Sequence, residues 1–249
     1  MKRFVLLFLS IFLFLSGYSQ IWKLKRFEVW GGVSVFQYFG DIGGSADGSN
    51  LFGIKDISLK SNRPGINIGG TYRVNERIYI HGSNSLGFFA QTDKGSRNSS
   101  RNFAFYSIAD ELSVQGAFYI LKEKTNYYYS IMGMRGLKNL NRPLSLYAFV
   151  GAGGLFFKVT PKEDLIGSSR LVDSKWVTVT FPVGLGLKFA YSPELSLGME
   201  LGARATLTDY LDGFTSSLSK HNDLYYLLNF KVIYRLAKGK GLRQQLFRK

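Results

Sequence analysis

Apolar and polar residues alternate with a period of two along most of this chain. The stretch VTVTFPVGLGLKF, 177–189, shows it best. Val177, Val179, Phe181, Val183, Leu185, Leu187 and Phe189 share one face, and Thr178, Thr180, Pro182, Gly184, Gly186 and Lys188 take the other. Strand side chains point to opposite faces in turn, and strands of soluble proteins average about five or six residues. A tilted strand that crosses a bilayer needs roughly 9–11. The apolar stripe here has the length of a membrane crossing.

Eight segments carry this alternation. In the first, 27–39, Phe27, Val29, Val33 and Val35 oppose Glu28, Trp30, Ser34 and Phe36. In the second, 65–73, Ile66, Ile68 and Tyr72 oppose Asn67, Thr71 and Arg73. The third, 77–90, alternates weakly and carries His81 in its middle. In the fourth, 103–120, Leu112, Val114, Phe118 and Ile120 oppose Glu111, Ser113, Gln115 and Tyr119. The fifth, 144–158, is apolar on both faces, so the pattern does not orient it. The sixth is the opening stretch, extended to 175–189. In the seventh, 194–208, an aliphatic face opposes Ser196, Gly198, Glu200, Gly202, Arg204 and Thr206. In the eighth, 223–236, Leu228, Phe230, Val232, Tyr234 and Leu236 oppose Asn229, Lys231, Ile233 and Arg235. No segment of a dozen residues sustains a 3.6-residue apolar period with caps. The nearest, 125–141, is interrupted by Gly133 and Gly136.

Long connections alternate with short ones. VNE joins the second and third strands and AYSP the sixth and seventh, whereas Gly-, Ser-, Asn- and Asp-rich segments fill the others. That is the pattern of an up-and-down meander with turns at one end and loops at the other. The connection over 121–143 departs from it, being long on the turn side.

These features predict an all-β fold: an eight-stranded antiparallel up-and-down transmembrane β-barrel. A soluble sandwich or lipocalin-like barrel would hide its apolar faces against each other and use shorter strands. With the apolar faces toward lipid, the inward set contains Glu28, Glu111 and Glu200 with Arg73, Lys188, Arg204, Lys231 and Arg235. Eight strands enclose a lumen that side chains can fill, so these charges are expected to pair as a structural network and plug the barrel.

The first residues read as a targeting segment. Lys2 and Arg3 precede the apolar run 4–15, and Gly17 and Ser19 stand at −3 and −1 of a cut before Gln20. The expected organisation is a signal peptide over 1–19, a barrel over 20–236 and a basic tail over 237–249. Removing Lys2 and Arg3 lowers the formal charge from +15 to +13. Export makes nucleic acid an improbable partner for that charge, and outer-membrane lipid, lipopolysaccharide or an acidic protein the expected ones. With 0 Cys and 2 His, disulfides, thiol chemistry and a His-based metal site are excluded.

YFGDIGG near the start, the segment 181–213 and the closing NFKVIYRL resemble the small outer-membrane barrels of Bacteroidetes typified by PorG of the type IX secretion system. The resemblance is densest at Phe181–Gly213, where glycines, an aliphatic–Lys strand end and a short turn lead to the loop motif Thr208, Asp209, Tyr210, Leu211 and Asp212. It implies a non-enzymatic barrel, without cofactor, that associates with periplasmic ring proteins of a secretion machine. The alternative is a general surface barrel of OmpA or OmpX type serving envelope integrity or adhesion. The chain departs from the family in ending its last strand on Leu236 and in its long fourth connection.

The loops carry residues of chemically active types. Ser219, His221 and Asp223 form a Ser/His/Asp set, but polar loops hold such residues anyway, and a triad is defined by geometry. GDIGG at 40–44 lacks the following helix of a phosphate loop, and DGSN at 47–50 is too short for a calcium loop. Asp209 and Asp212 suit an Asx-type loop start better than acid/base work. Lys94, Arg97 and Arg101 are placed to meet lipopolysaccharide phosphates, or are simply solvated.

Overall fold

The computed structural model describes residues 26–40, 42–43, 61–94, 99–122, 144–172, 176–192, 194–214 and 222–236. The proposed signal peptide, the basic tail, the segment 125–141, Arg97, Ser219 and His221 lie outside them. Eight strands run in chain order: β1 Phe27–Phe39, β2 Arg63–Arg73, β3 Ile78–Thr92, β4 Phe103–Leu121, β5 Leu144–Glu163, β6 Val177–Ala190, β7 Leu195–Thr206 and β8 Leu224–Leu236. Each is antiparallel to its chain neighbour, and β1 pairs with β8, so the sheet closes. The strand bounds match the alternation to within a few residues, except that β5 runs on to Glu163.

Closure is staggered. Pairing followed from Phe27 passes through Tyr72, Ile80, Gly116, Val150, Val183, Ala203 and Tyr226 and returns to β1 at Gln37, a shift of ten residues. Strand number and stagger together fix the tilt, here about 40°. The tilt is what makes a 13-residue strand such as β1 or β8 suited to a bilayer.

Outward residues form an apolar belt. Val150, Val114 and Val177 are 60–64 % exposed, and Ile66, Ile68, Leu112, Leu185 and Leu201 are close behind. A water-soluble barrel does not leave such a belt open, because each exposed aliphatic side chain forfeits its transfer free energy. Inward residues are polar and buried, among them Glu200 at 2 % and Arg204 at 1 %. The chain is thus a transmembrane β-barrel with its apolar face turned out. The belt has a polar break where outward Asn84 on β3 donates to outward Asp110 on β4 at 2.6 Å.

Two turns are closed by short side chains. Asn75 Oδ1 accepts from the Arg77 and Ile78 amides, both at 2.8 Å, and Ser192 Oγ accepts from the Leu195 amide at 3.0 Å. These define the turn end, where β4 also ends and β5 begins; the β1–β2, β3–β4, β5–β6 and β7–β8 connections leave from the opposite, loop end. β5 is resolved by its interior: Tyr147, Phe149, Leu155 and Phe157 point in, and Leu144, Val150 and Phe156 point out. Its pattern was ambiguous because this part of the lumen is itself aromatic.

Candidate functional site

The inward residues of β1, read from the turn end to the loop end, are Glu28, Trp30, Ser34, Phe36 and Tyr38. They sample a lumen that changes from charged, through polar, to aromatic.

Nearest the turn end, Glu28 Oε1 accepts from Lys188 Nζ at 2.6 Å and from Arg235 Nε at 3.0 Å, and Oε2 accepts from Lys188 at 2.7 Å. This trio ties β1 to β6 and β8. Next, Glu200 Oε2 accepts from Lys231 Nζ and Oε1 from the Tyr147 hydroxyl, each at 2.5 Å. Lys231 Nζ also stands 4.3 Å from the Trp30 ring centroid, within cation–π range. His81 Nδ1 is 3.8 Å from Glu200 Oε1, beyond a hydrogen bond. Further up, Glu111 Oε2 accepts from the Tyr225 hydroxyl at 2.5 Å and lies 3.3 Å from Arg204 Nε. Arg204 also donates to the Gly202 carbonyl at 2.7 Å.

Seven of the eight residues expected in the lumen network therefore fall into three separate clusters. Arg73 stands apart at the turn end, donating from Nε to the Asn75 carbonyl at 3.2 Å, with its guanidinium 5.3 Å from the Tyr79 ring centroid. Polar side chains fill the middle: Ser34 donates to Asn229 at 2.7 Å, and Asn67 donates to Ser34 at 3.0 Å. Facing the first two charged clusters, Tyr79, Tyr119, Tyr147 and Phe149 form an aromatic group, with Tyr119 and Tyr147 stacked at 4.8 Å. Inward Gly184 and Gly186 make room for it, since a Cβ on either would strike the Phe149 or Tyr147 ring.

The loop end is closed by a second apolar cluster containing Phe36, Tyr38, Phe89, Phe105, Leu155, Leu211, Phe214 and Tyr225. Three buried carboxylates latch the loops onto it. Asp93 accepts from the Gly43 amide at 2.8 Å and from Arg101 Nε at 2.8 Å. Asp212 accepts from the Phe214 amide at 2.9 Å, an Asx turn, and from the Ile42 amide at 3.3 Å. Asp223 accepts from the Tyr38 hydroxyl at 2.6 Å and from the Leu211 amide at 2.8 Å. Gly213 between them has φ 73°, a left-handed backbone that favours glycine. Burial, reinforced by the Asp212 carboxylate, pushes Asp223 well above the usual carboxylate range.

The motif Thr208–Asp212 is thus part of the barrel's closure. Leu211 and Asp212 are fully buried and Thr208 nearly so, while Asp209 and Tyr210 are half-buried. Asp223, the carboxylate of the Ser/His/Asp set, is engaged by Tyr38 and Leu211. Lys94 donates to Glu163 at 2.6 Å, and Arg101 is committed to Asp93, its guanidinium 4.8 Å from the Phe214 ring centroid. Sequence reasoning missed Asp93, Tyr38 and Tyr225. The signal for the two tyrosines is their inward parity on β1 and β8; nothing local marks Asp93. Among the described residues no cluster of His, Cys, Asp and Glu is placed to hold a metal ion.

No protein-family model matches the chain, and no curated protein matches it. Solved structures do. Ail of Yersinia pestis, in complex with the heparin analogue sucrose octasulfate, is 14 % identical with a TM-score of 0.46, over 85 % of this chain and 99 % of that one. Neisserial surface protein A is 13 % identical with a TM-score of 0.41, over 84 % and 97 %. OprG of Pseudomonas aeruginosa is 11 % identical with a TM-score of 0.39, over 86 % and 96 %. The transmembrane-barrel class stands on this chain's own closed register and outward apolar belt.

Proposed function

We propose that the protein is a non-enzymatic, non-conducting barrel of the outer membrane that acts as a structural and interaction component. The observation that carries this reading is the filled interior: three ion-pair clusters, a polar middle and two aromatic groups occupy the lumen from the turn end to the loop end. A barrel with no passage works through its surfaces. In this reading residues 1–19 are a cleaved signal peptide, the turn end and the tail 237–249 face the periplasm, and the latched loops face outside. The charged network serves stability rather than transport.

The finer assignment is to a protein-secretion machine of the type IX kind, where the barrel accompanies periplasmic ring proteins. It rests on the resemblance at 181–213 to the PorG-like barrels. Affinity purification of the tagged chain after cross-linking in its own cells tests it: ring proteins are expected among the captured species, and their absence under conditions that capture other envelope proteins rejects it. The second reading, a general surface barrel for envelope integrity or adhesion, is favoured by the order of the loop end. Asp93, Asp212 and Asp223 tie the described loop residues Ile42, Gly43, Arg101, Leu211 and Phe214 to the barrel mouth, which suits a presented surface. Loss of adhesion or of detergent resistance in a deletion strain, with secretion intact, distinguishes the two.

A further inference from the structure

The outer wall is not smooth. Between β3 and β6 a groove of about 620 Å³ opens toward lipid, within the range of small-molecule sites, about 300–1,000 Å³. Its floor lies at Gly116 and Ala148, outward positions with almost no side chain, and its walls are Ile78, Phe118, Val150, Val183 and Leu185. The groove runs toward the turn end, where Ile78 pairs with Phe118 and the Tyr119 amide donates to the Arg77 carbonyl at 2.7 Å. Arg77 is therefore held one residue from the groove wall. Arg73 and Lys122 stand at the same end, with Glu76 the carboxylate among them, paired to Lys122.

We propose that this groove is a binding site for an anionic phospholipid, one acyl chain lying over Gly116 and Ala148 and the head-group phosphate meeting Arg77 and Lys122. The chemistry of the lining selects the occupant. No side chain named along the groove offers a hydrogen bond, so a peptide laid there would leave its backbone groups unpaired in an apolar setting. A hydrocarbon chain needs no such bonds, and a groove gives it contacts on three sides where a flat wall gives one. The excess of three basic residues over one acid, at the level where the apolar belt ends, matches a negative head group. The inference rests on the transmembrane barrel alone and is indifferent to the secretion reading.

The full chain reconstituted in nanodiscs of equal phosphatidylglycerol and phosphatidylcholine, then released for native mass spectrometry, tests it. The wild type is expected to retain phosphatidylglycerol in preference to phosphatidylcholine. Gly116→Leu with Ala148→Leu fills the groove and is expected to abolish retention of both lipids. A Cβ on Gly116 meets only the Val150 carbonyl oxygen within reach, at 3.8 Å, so the wall accepts the change. Arg77→Gln with Lys122→Gln leaves the groove intact and is expected to cut the preference about thirtyfold, from roughly fivefold per basic residue. Retention unchanged in the filled groove, or a preference unchanged without the two cations, overturns the proposal. So does a wild type that holds the two lipids equally. Heat-dependent gel mobility reports that each variant is a folded barrel.

Discussion

At the scale of residues, the lumen's charges are buried in pairs, and the consequence of removing one depends on what remains. Glu28→Gln removes the carboxylate that Lys188 and Arg235 share in the interior, and breaking a buried pair in this way costs about 3–5 kcal/mol. Replacing Glu28, Lys188 and Arg235 together by Met removes the charges with their desolvation penalty, and is expected to recover most of that loss. Urea unfolding from bilayers reads both, and a triple variant as unstable as the single one rejects the argument. The outward pair behaves in the opposite sense. Asn84 and Asp110 sit among Leu86, Ile108, Leu112 and Phe156, all more than 40 % exposed. Changing both to Leu is expected to raise the unfolding midpoint, because neither polar group is left unpaired and the belt becomes continuous. A lowered midpoint would mean that the pair serves the fold. Sequence parity placed Glu28, Glu111, Lys188, Glu200, Arg204, Lys231 and Arg235 on the inner face, since strand geometry fixes facing. It left partners open, because pairing depends on the ten-residue stagger, which no single strand encodes.

At the scale of elements, the segment after β7 is the one whose behaviour depends on pH. Asp223 holds Leu211 and Tyr38, and burial beside Asp212 raises its affinity for a proton above the ordinary carboxylate value, about 3.9. The folded latch thus binds a proton more tightly than the open loop does. Its contribution to stability is fully present below the ordinary value and falls as pH rises through the higher folded one. Protection of the Leu211 amide, measured by hydrogen exchange and corrected for the intrinsic rate, is expected to decline over that rise. Asp223→Asn, neutral throughout, is expected to flatten the dependence; protection that grows with pH contradicts the assignment. This latch was illegible beforehand. Asp212 and Asp223 share the β7–β8 connection, but their partners Ile42 and Tyr38, and Asp93 with Gly43 and Arg101, come from other strands and loops that only the closed barrel brings to one mouth. The strands were legible by contrast, and β6 most of all, because lipid on one side and a polar lumen on the other impose opposite demands on alternate residues. β5 defeated that logic where Tyr147, Phe149, Leu155 and Phe157 make the inner side apolar too.

At the scale of the whole molecule, the question is whether a closed barrel is also a pore. Eight strands enclose an interior just wide enough for side chains, and this chain puts large ones there: Tyr38, Tyr147, Tyr225, Phe36, Phe89, Phe105 and Arg204 are almost wholly buried. The obstruction is repeated along the axis. An ion entering from the loop end meets the Phe36–Phe214 cluster, then the Glu111–Arg204 and Glu200–Lys231 pairs, and finally Glu28 with its two cations. To pass, it must displace aromatic rings and separate paired charges in a setting of low dielectric, where each separation costs several kcal/mol. Neither barrier yields to modest voltage, since 100 mV acting on one charge across the whole membrane supplies about 2.3 kcal/mol. The purified wild type in a planar bilayer is therefore expected to show the baseline of lipid alone. The triple Met variant at Glu28, Lys188 and Arg235 is expected to stay equally silent, because the loop-end cluster remains. Large, stable conductance steps from either protein would show that the interior opens, and would move the proposed function from surface contact to transport.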